Sequence, residues 1–190
     1  MTELWLIRHG QTDWNLEGRY QGQSDVPLNA TGLAQAEAYA ASLDGRPFAA
    51  IFSSDLARAY QTAAVIAAKV GLPVQTDARL REINQGEWQG RTLTEIKALY
   101  NEGAQASQSQ IDPAETRAPG GESVLEVSQR LAAAADDIAR AYPVGPVLVV
   151  SHGLALASLY CQANRIPLRE AYNYISDNTQ AVIIHWPRFF

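Results

Sequence analysis

The sequence predicts an α/β fold, a three-layer sandwich with a mostly parallel central sheet and helices on both faces. Two observations predict it. Strand-like and helix-like runs alternate through most of the chain. Three short apolar runs, at 4–7, 50–52 and 147–150, are bounded by polar or turn residues, as buried central strands are. The 190 residues, 47% of them hydrophobic, supply one sizeable core and leave little for a second, so a single domain is expected over 1–190.

The elements follow in order. After the strand at 4–7, a helix is expected over 31–43, with Leu33, Ala36, Ala40 and Leu43 sharing a face. The strand at 50–52 leads into a helix at 55–70, with Asp55 as its candidate cap and Gly71 and Pro73 as its stop. A third helix is expected at 122–142, with Val124, Val127, Leu131 and Ile138 inward. The strand at 147–150 runs directly into a helix at 154–164, and 182–186 reads as a final strand. The stretch 103–121 is rich in Ala, Gln, Ser, Pro and Gly without an apolar period, which marks a loop or lid. No internal repeat is present.

Fifteen basic against twenty acidic residues give a formal charge of −5, and no long basic run is available to track a nucleic-acid backbone. Nucleic acid is therefore not expected as a partner. Cys161 is alone and cannot form an internal disulfide, and the apolar stretch at 4–7 is too short for a signal-peptide core. No apolar run approaches the ~20 residues that span a bilayer. A soluble, cytoplasmic protein without a membrane partner is expected.

The first chemical cluster is Leu6-Ile7-Arg8-His9-Gly10-Gln11-Thr12, where a buried strand delivers an Arg and a His at its carboxyl end. Ligands of α/β sheets bind at that rim. A neutral imidazole there has a nitrogen lone pair to offer phosphorus, and Arg8 offers a planar fork for phosphate oxygens. Taken alone, each residue more often has a structural role. His152, in Val150-Ser151-His152-Gly153, repeats the arrangement at the start of the next helix, where backbone N–H groups and the helix dipole favour an anion. A protonated His152 would add charge, and Gly153 would admit close approach to the backbone. Two His-Gly turns in a chain with three histidines point to one site.

Arg58 lies in the first turn of the helix after strand 50–52 and can supply a second guanidinium; by itself it reads as an exposed helix residue. Glu82, in Leu80-Arg81-Glu82-Ile83-Asn84-Gln85-Gly86-Glu87-Trp88, is a carboxylate with aromatic and apolar neighbours able to raise its pKa, which suits a proton donor. The bland alternative pairs Glu82 with Arg79 or Arg81 and lets Trp88 simply pack.

Leu6-Ile7-Arg8-His9-Gly10 with Thr12, Asn15 and the 18–28 segment resembles the opening signature of the histidine phosphatase (phosphoglycerate mutase-like) superfamily. The match continues in order through Ser53-Ser54-Asp55-Leu56-Ala57-Arg58-Ala59 with Gln61-Thr62, then 80–90, Pro119-Gly120-Gly121-Glu122-Ser123, and Val150-Ser151-His152-Gly153. Five ordered motifs at compatible spacing are specific where one tripeptide is not. The resemblance covers nearly the whole chain.

The resemblance implies a phosphomonoesterase acting on small phosphorylated metabolites. In that scheme His9 is the nucleophile that forms a phosphohistidine, and Arg8, Arg58 and His152 surround the equatorial oxygens. Glu82 protonates the leaving alkoxide and then activates water. Asn15, Gln21, Gly22 and Gly153 are carried over as phosphoryl contacts, Gln21 at a position that varies within the family. No cofactor and no metal is implied, because guanidiniums and helix-end N–H groups supply the positive charge.

Other classes fit less well. A metal hydrolase built on His9 and His152 lacks any H-x-x-x-H or comparable spacing, and neither a G-x-S-x-G elbow nor a G-x-x-x-x-G-K-[ST] loop is present. The serious alternative is a cofactor-dependent phosphoglycerate mutase. Mutases of the family resemble one another in a longer insertion with paired arginines after the acid motif, whereas 101–119 here is short and holds only Arg117 against Glu102, Asp112 and Glu115. Phosphoserine, sugar phosphates, phosphoglycerates and α-ribazole phosphate are all candidate substrates. His185 is expected to be structural. Trp186 with Phe189-Phe190 leaves an apolar C-terminus that packs either on the core or on a second subunit of a homodimer.

Overall fold

A computed structural model describes residues 1–43, 45–100, 112 and 114–187. The order is β1 (Thr2–Arg8), α1 (Asp13–Leu16), α2 (Ala30–Ser42), β2 (Ala50–Ser53), α3 (Ala57–Val70), β3 (Val74–Thr76), α4 (Leu93–Tyr100), α5 (Val124–Ala141), β4 (Val147–Ser151), α6 (Gly153–Asn164) and β5 (Ala181–Trp186). Short 3-10 turns occupy Ala78–Leu80, Gly86–Trp88 and Leu168–Tyr174. The strands form one sheet in the order β3-β2-β4-β1-β5, parallel except for β5, which runs antiparallel to β1.

Side-chain alternation on the central strands makes the three layers. Leu4 and Leu6 of β1 and Val147 and Val149 of β4 face a core shared with α5 and α6. Ile7, Ile51, Leu148 and Val150 face a second core against α2 and α3. All five residues of β4 are buried, which explains its unbroken apolar run. The register sets Arg8 opposite Ser151 and Ser53 opposite Val150, so β1, β2 and β4 end together at one rim.

Local signals fix most helix ends. Ser123 and Glu126 form a capping box on α5, Asn29 caps α2 through the Gly32 N–H, and Gly71 closes α3 at φ 74°. Asp55, the expected cap of α3, is a correction. Leu56 takes the cap position without a side-chain bond, Asp55 instead pairs with Arg81, and the Asp25 carboxylate accepts from the Ala57 N–H at 2.7 Å. A chain segment 32 residues away supplies the cap.

Leu33 is a second correction, being 42% exposed. The inward position is Gly32, where an added Cβ would lie 2.1 Å from the Gln11 carbonyl oxygen. Absence of a side chain lets α2 press on the turn after β1, and that rotates Leu33 outward. Trp186 settles on the core, 3% exposed, with its indole N–H donating to Asp136 at 2.7 Å, while His185 is exposed. Phe189 and Phe190 lie outside the described residues, as does most of the expected 103–121 loop; its described end holds turns and an isolated bridge between Arg117 and Ser123. Among the described residues no helix is long and apolar enough to cross a membrane.

Candidate active site

His9 stands at the point where β1 leaves the sheet, its backbone N–H still bonded to the Ser151 carbonyl at 3.0 Å. The imidazole is 3% exposed, and its Nδ1 lies 2.7 Å from the Gly10 carbonyl oxygen. A carbonyl only accepts, so Nδ1 carries the hydrogen and Nε2 carries the free lone pair. Burial and then the Arg58 charge hold His9 well below the ordinary imidazole range; the Gly10 bond opposes them and Arg8 adds to them. The result at neutral pH is an uncharged ring with one nucleophilic nitrogen.

The turn beneath it is rigid. The Gly10 N–H donates to Thr62 Oγ1 at 3.0 Å, and that hydroxyl donates to the Arg58 carbonyl at 2.8 Å, tying the His9 turn to α3. Asn178 reaches from the loop before β5 to donate to the His9 carbonyl at 2.7 Å.

Arg58 is fully buried, contrary to the exposed helix residue that its position in α3 suggests. Its terminal nitrogens donate to the carbonyls of Ser24 and Gly22 at 2.7 Å each, and burial lowers its pKa to about 10. Arg8 donates to the Ser176 carbonyl at 2.7 Å; burial lowers its pKa as well, against the opposing pull of Glu82 and Asp177. The Nε groups of both arginines are buried without a partner among the described residues.

His152 caps α6, fully buried, its ring centroid 5.2 Å from that of His9. The expected imidazolium is a correction: burial, then Arg58, His9, Arg130 and Arg8, drive its proton affinity well below normal. Its Nε2 lies 2.9 Å from Ser54 Oγ, which already accepts from the Leu56 N–H. The Ser54 hydroxyl is therefore available to donate to Nε2, and that tautomer puts the hydrogen on Nδ1, which has no partner among the described residues. A neutral N–H donor replaces the expected cation.

Glu82 pairs with neither neighbouring arginine: Arg79 binds Asp77 and Asp137, and Arg81 binds Asp55. Its carboxylate accepts backbone N–H groups from Ile83, Leu154 and Ala155 at 2.9 to 3.2 Å, so it sits on the first turn of α6, beside His152, rather than among the aromatic side chains that the sequence suggests. Its charge is felt by Arg8, Arg58 and Tyr172.

The remaining expected residues frame this centre. Asn15 Oδ1 accepts from the Thr12 N–H in the α1 capping box, and Gln21 Oε1 accepts from the buried Thr12 hydroxyl, which leaves each side chain its NH2 group to donate. Gly22 has φ 51°, and its carbonyl holds Arg58. Gly153 passes so close to Arg8 that an added Cβ would lie 3.4 Å from its Nε.

Sequence reasoning gave Ser54 and Thr62 no role beyond the matched 53–62 motif and missed Asn178 and above all Arg130, which bonds the carbonyls of Arg79, Arg81 and Glu82. An arginine on α5, eight residues after Glu122 and beside the core position Leu131, was the only signal for it.

An imidazole with a free Nε2, two buried guanidiniums, a neutral N–H donor and a carboxylate at a helix N-terminus make a site suited to transfer of an anionic group. The chain belongs to the histidine phosphatase superfamily (branch 1), whose family model matches residues 4–188. A probable phosphoglycerate mutase of Yersinia pestis (strain Pestoides F) is 41% identical over 160 residues, covering 84% of this chain and 73% of that one. Mycobacterial glucosyl-3-phosphoglycerate phosphatase, solved with VO3, superposes with a TM-score of 0.86 at 33% identity over 98% of this chain and 93% of its own. Alpha-ribazole phosphatase from Shigella flexneri gives a TM-score of 0.86 at 28% identity, over 97% and 90%.

Proposed function

We propose that this protein hydrolyses phosphomonoesters of small metabolites through a phosphohistidine at His9. The observation that carries the reading is the set of buried nitrogens without a partner among the described residues, Arg8 Nε, Arg58 Nε and His152 Nδ1. Leaving buried polar groups unmet costs about 1–3 kcal/mol each, and more when charged, and the three side chains act electrostatically on one another, so the set fits a ligand with several acceptor oxygens. A phosphoryl group has that chemistry.

In the first step His9 Nε2 attacks phosphorus, the P–O ester bond breaks, and its electron pair leaves on the alkoxide, which takes a proton from the Glu82 carboxylic acid. In the second, Glu82 removes a proton from water, the hydroxide oxygen bonds to phosphorus, and the P–N electron pair returns to Nε2. Arg8, Arg58 and the His152 N–H hold the equatorial oxygens throughout. Asn15 and Gln21 donate from the α1 side. Guanidiniums bring the charge that a metal would otherwise bring, and among the described residues no three His, Cys, Asp or Glu side chains gather as a metal site needs.

The second reading, a mutase, is favoured by the name of the Yersinia relative. It needs further cations for a second phosphate. Arg19 is committed to Glu17, Glu95 and the Gly90 carbonyl, Arg117 to Glu126, and Arg91 Nε to the Glu87 carbonyl. The Tyr172 hydroxyl, held protonated by burial and by the fields of Tyr20 and Glu82, adds no cation there. These features support hydrolysis. The test supplies 3-phosphoglycerate with 2,3-bisphosphoglycerate beside a panel of phosphomonoesters, with and without chelator. Phosphate release that outruns formation of 2-phosphoglycerate and survives chelation is expected; isomerisation faster than hydrolysis of every ester overturns the reading.

A further inference from the structure

Arg130 leaves α5 and spends three donors on the short stretch 79–82 and two on Glu122. Its Nε donates to Glu122 Oε1 at 2.9 Å, and one terminal nitrogen donates to Glu122 Oε2 at 2.9 Å and the Glu82 carbonyl at 2.8 Å. The other donates to the carbonyls of Arg79 and Arg81 at 2.7 and 2.6 Å. A guanidinium has five N–H groups, and all five are used.

Glu122 completes the clamp. Its Oε2 also accepts from the Asn84 N–H at 2.8 Å and the Gln23 side-chain amide at 3.4 Å, and Gln23 donates in turn to the Glu82 carbonyl at 3.1 Å. Burial pushes the Glu122 carboxyl upward, but the Arg130 and Asn84 bonds outweigh it and keep the group ionised. The backbone is thus gripped at 79, 81, 82 and 84, on both sides of the carboxylate. The side chains of Arg79 and Arg81 are pinned outward by Asp77, Asp137 and Asp55, which leaves Glu82 alone to turn inward onto α6.

We infer that Arg130 and Glu122 are positioning residues for proton transfer, fixing the backbone so that the Glu82 carboxyl meets the leaving oxygen. The inference rests on the proposed role of Glu82. Among the described residues neither side chain bonds His9, Arg8, Arg58 or His152, and R130K keeps the charge that Arg130 exerts on His152, so R130K and E122Q spare binding and act where Glu82 does. A misplacement of about 1 Å can slow a positioned step roughly 100-fold. Lys at 130 keeps a charge but cannot reproduce the planar five-donor fork.

The experiment compares R130K, E122Q and E82Q on an alkyl phosphate and on p-nitrophenyl phosphate, whose leaving group needs little protonation. R130K and E122Q are expected to lose roughly 10–100-fold in kcat/KM on the alkyl ester, which reports phosphoryl transfer to His9, and far less on the nitrophenyl ester, with affinity for inorganic phosphate little changed. E82Q combined with R130K is expected to be no slower on the alkyl ester than E82Q alone, because both changes remove the same step. If E82Q lowers kcat/KM equally for both esters, the role of Glu82 as the acid and the positioning inference fail together. If E82Q discriminates between them but R130K and E122Q do not, or if their losses add to that of E82Q, the positioning inference alone is overturned. E122Q, which keeps the side-chain shape, carries the test should R130K fail to fold, and circular dichroism with thermal melting tells loss of fold from loss of step.

Discussion

The His9 Nδ1–H donates to the carbonyl of Gly10, the next residue in the chain, at 2.7 Å, and this single bond decides which nitrogen is free to react. It also orients Nε2, because a ring fixed at one nitrogen and 3% exposed has little rotational freedom. His9→Ala is therefore expected to abolish both turnover and covalent labelling by phosphosubstrate, and wild-type label should be acid-labile, as a P–N bond is. Acid-stable label, or an active His9→Ala protein, would refute the assignment.

His9 and His152 both hold their protons far more weakly in the fold than in an unfolded chain. Below about pH 6.5 the unfolded chain takes up protons that the fold refuses, so these residues stabilise the protein fully above that pH and progressively less as the pH falls toward their folded values. Thermal melting followed from pH 8 to pH 5 should show falling stability. Saturating phosphate or vanadate should reduce the fall, because an anion in the cradle favours the charged rings. A melting temperature flat across this range would contradict the burial of neutral histidines.

Arg58 is expected to serve fold and chemistry together. Arg58→Met keeps much of the buried volume but abandons the carbonyls of Gly22 and Ser24 and removes a charge from the cradle. A loss of about 1–3 kcal/mol in stability is expected by denaturant titration, with kcat/KM lower by roughly 10²–10³. Phosphate should stabilise the wild type far more than this variant.

Gly32 is expected to tolerate no side chain. Alanine there sets Cβ 2.1 Å from the Gln11 carbonyl, and alanine at Gly10 sets one 2.4 Å from the Gly32 carbonyl. Backbone on both sides leaves nothing flexible to yield, so either change should cost about 1–3 kcal/mol and displace His9. Leu33→Ala next door, on an exposed side chain, is the control and should leave melting temperature and rate close to wild type.

By itself the sequence determined the layered α/β fold and the residues at the rim of the sheet that carries the candidate site. Both follow from short-range pattern: an apolar run buried on both sides must end where polar residues begin, and Arg8-His9-Gly10 and His152-Gly153 mark two such ends. Gly71 ended α3 for the same reason, since a cap acts within one turn. Only the tertiary structure decided the rest, where partners come from distant segments. The α3 cap comes from Asp25, the inward face of α2 depends on backbone contact between Gly32 and Gln11, and Arg58 is buried because the carbonyls of Gly22 and Ser24 receive it. Folding takes away the water of His152 and then surrounds it with Arg58, His9, Arg130 and Arg8, which drives its proton affinity well below that of a free imidazole. Glu82 meets α6 because Arg130, nearly fifty residues away in the chain, grips the backbone that carries it, and local pattern holds no information about so distant a bond.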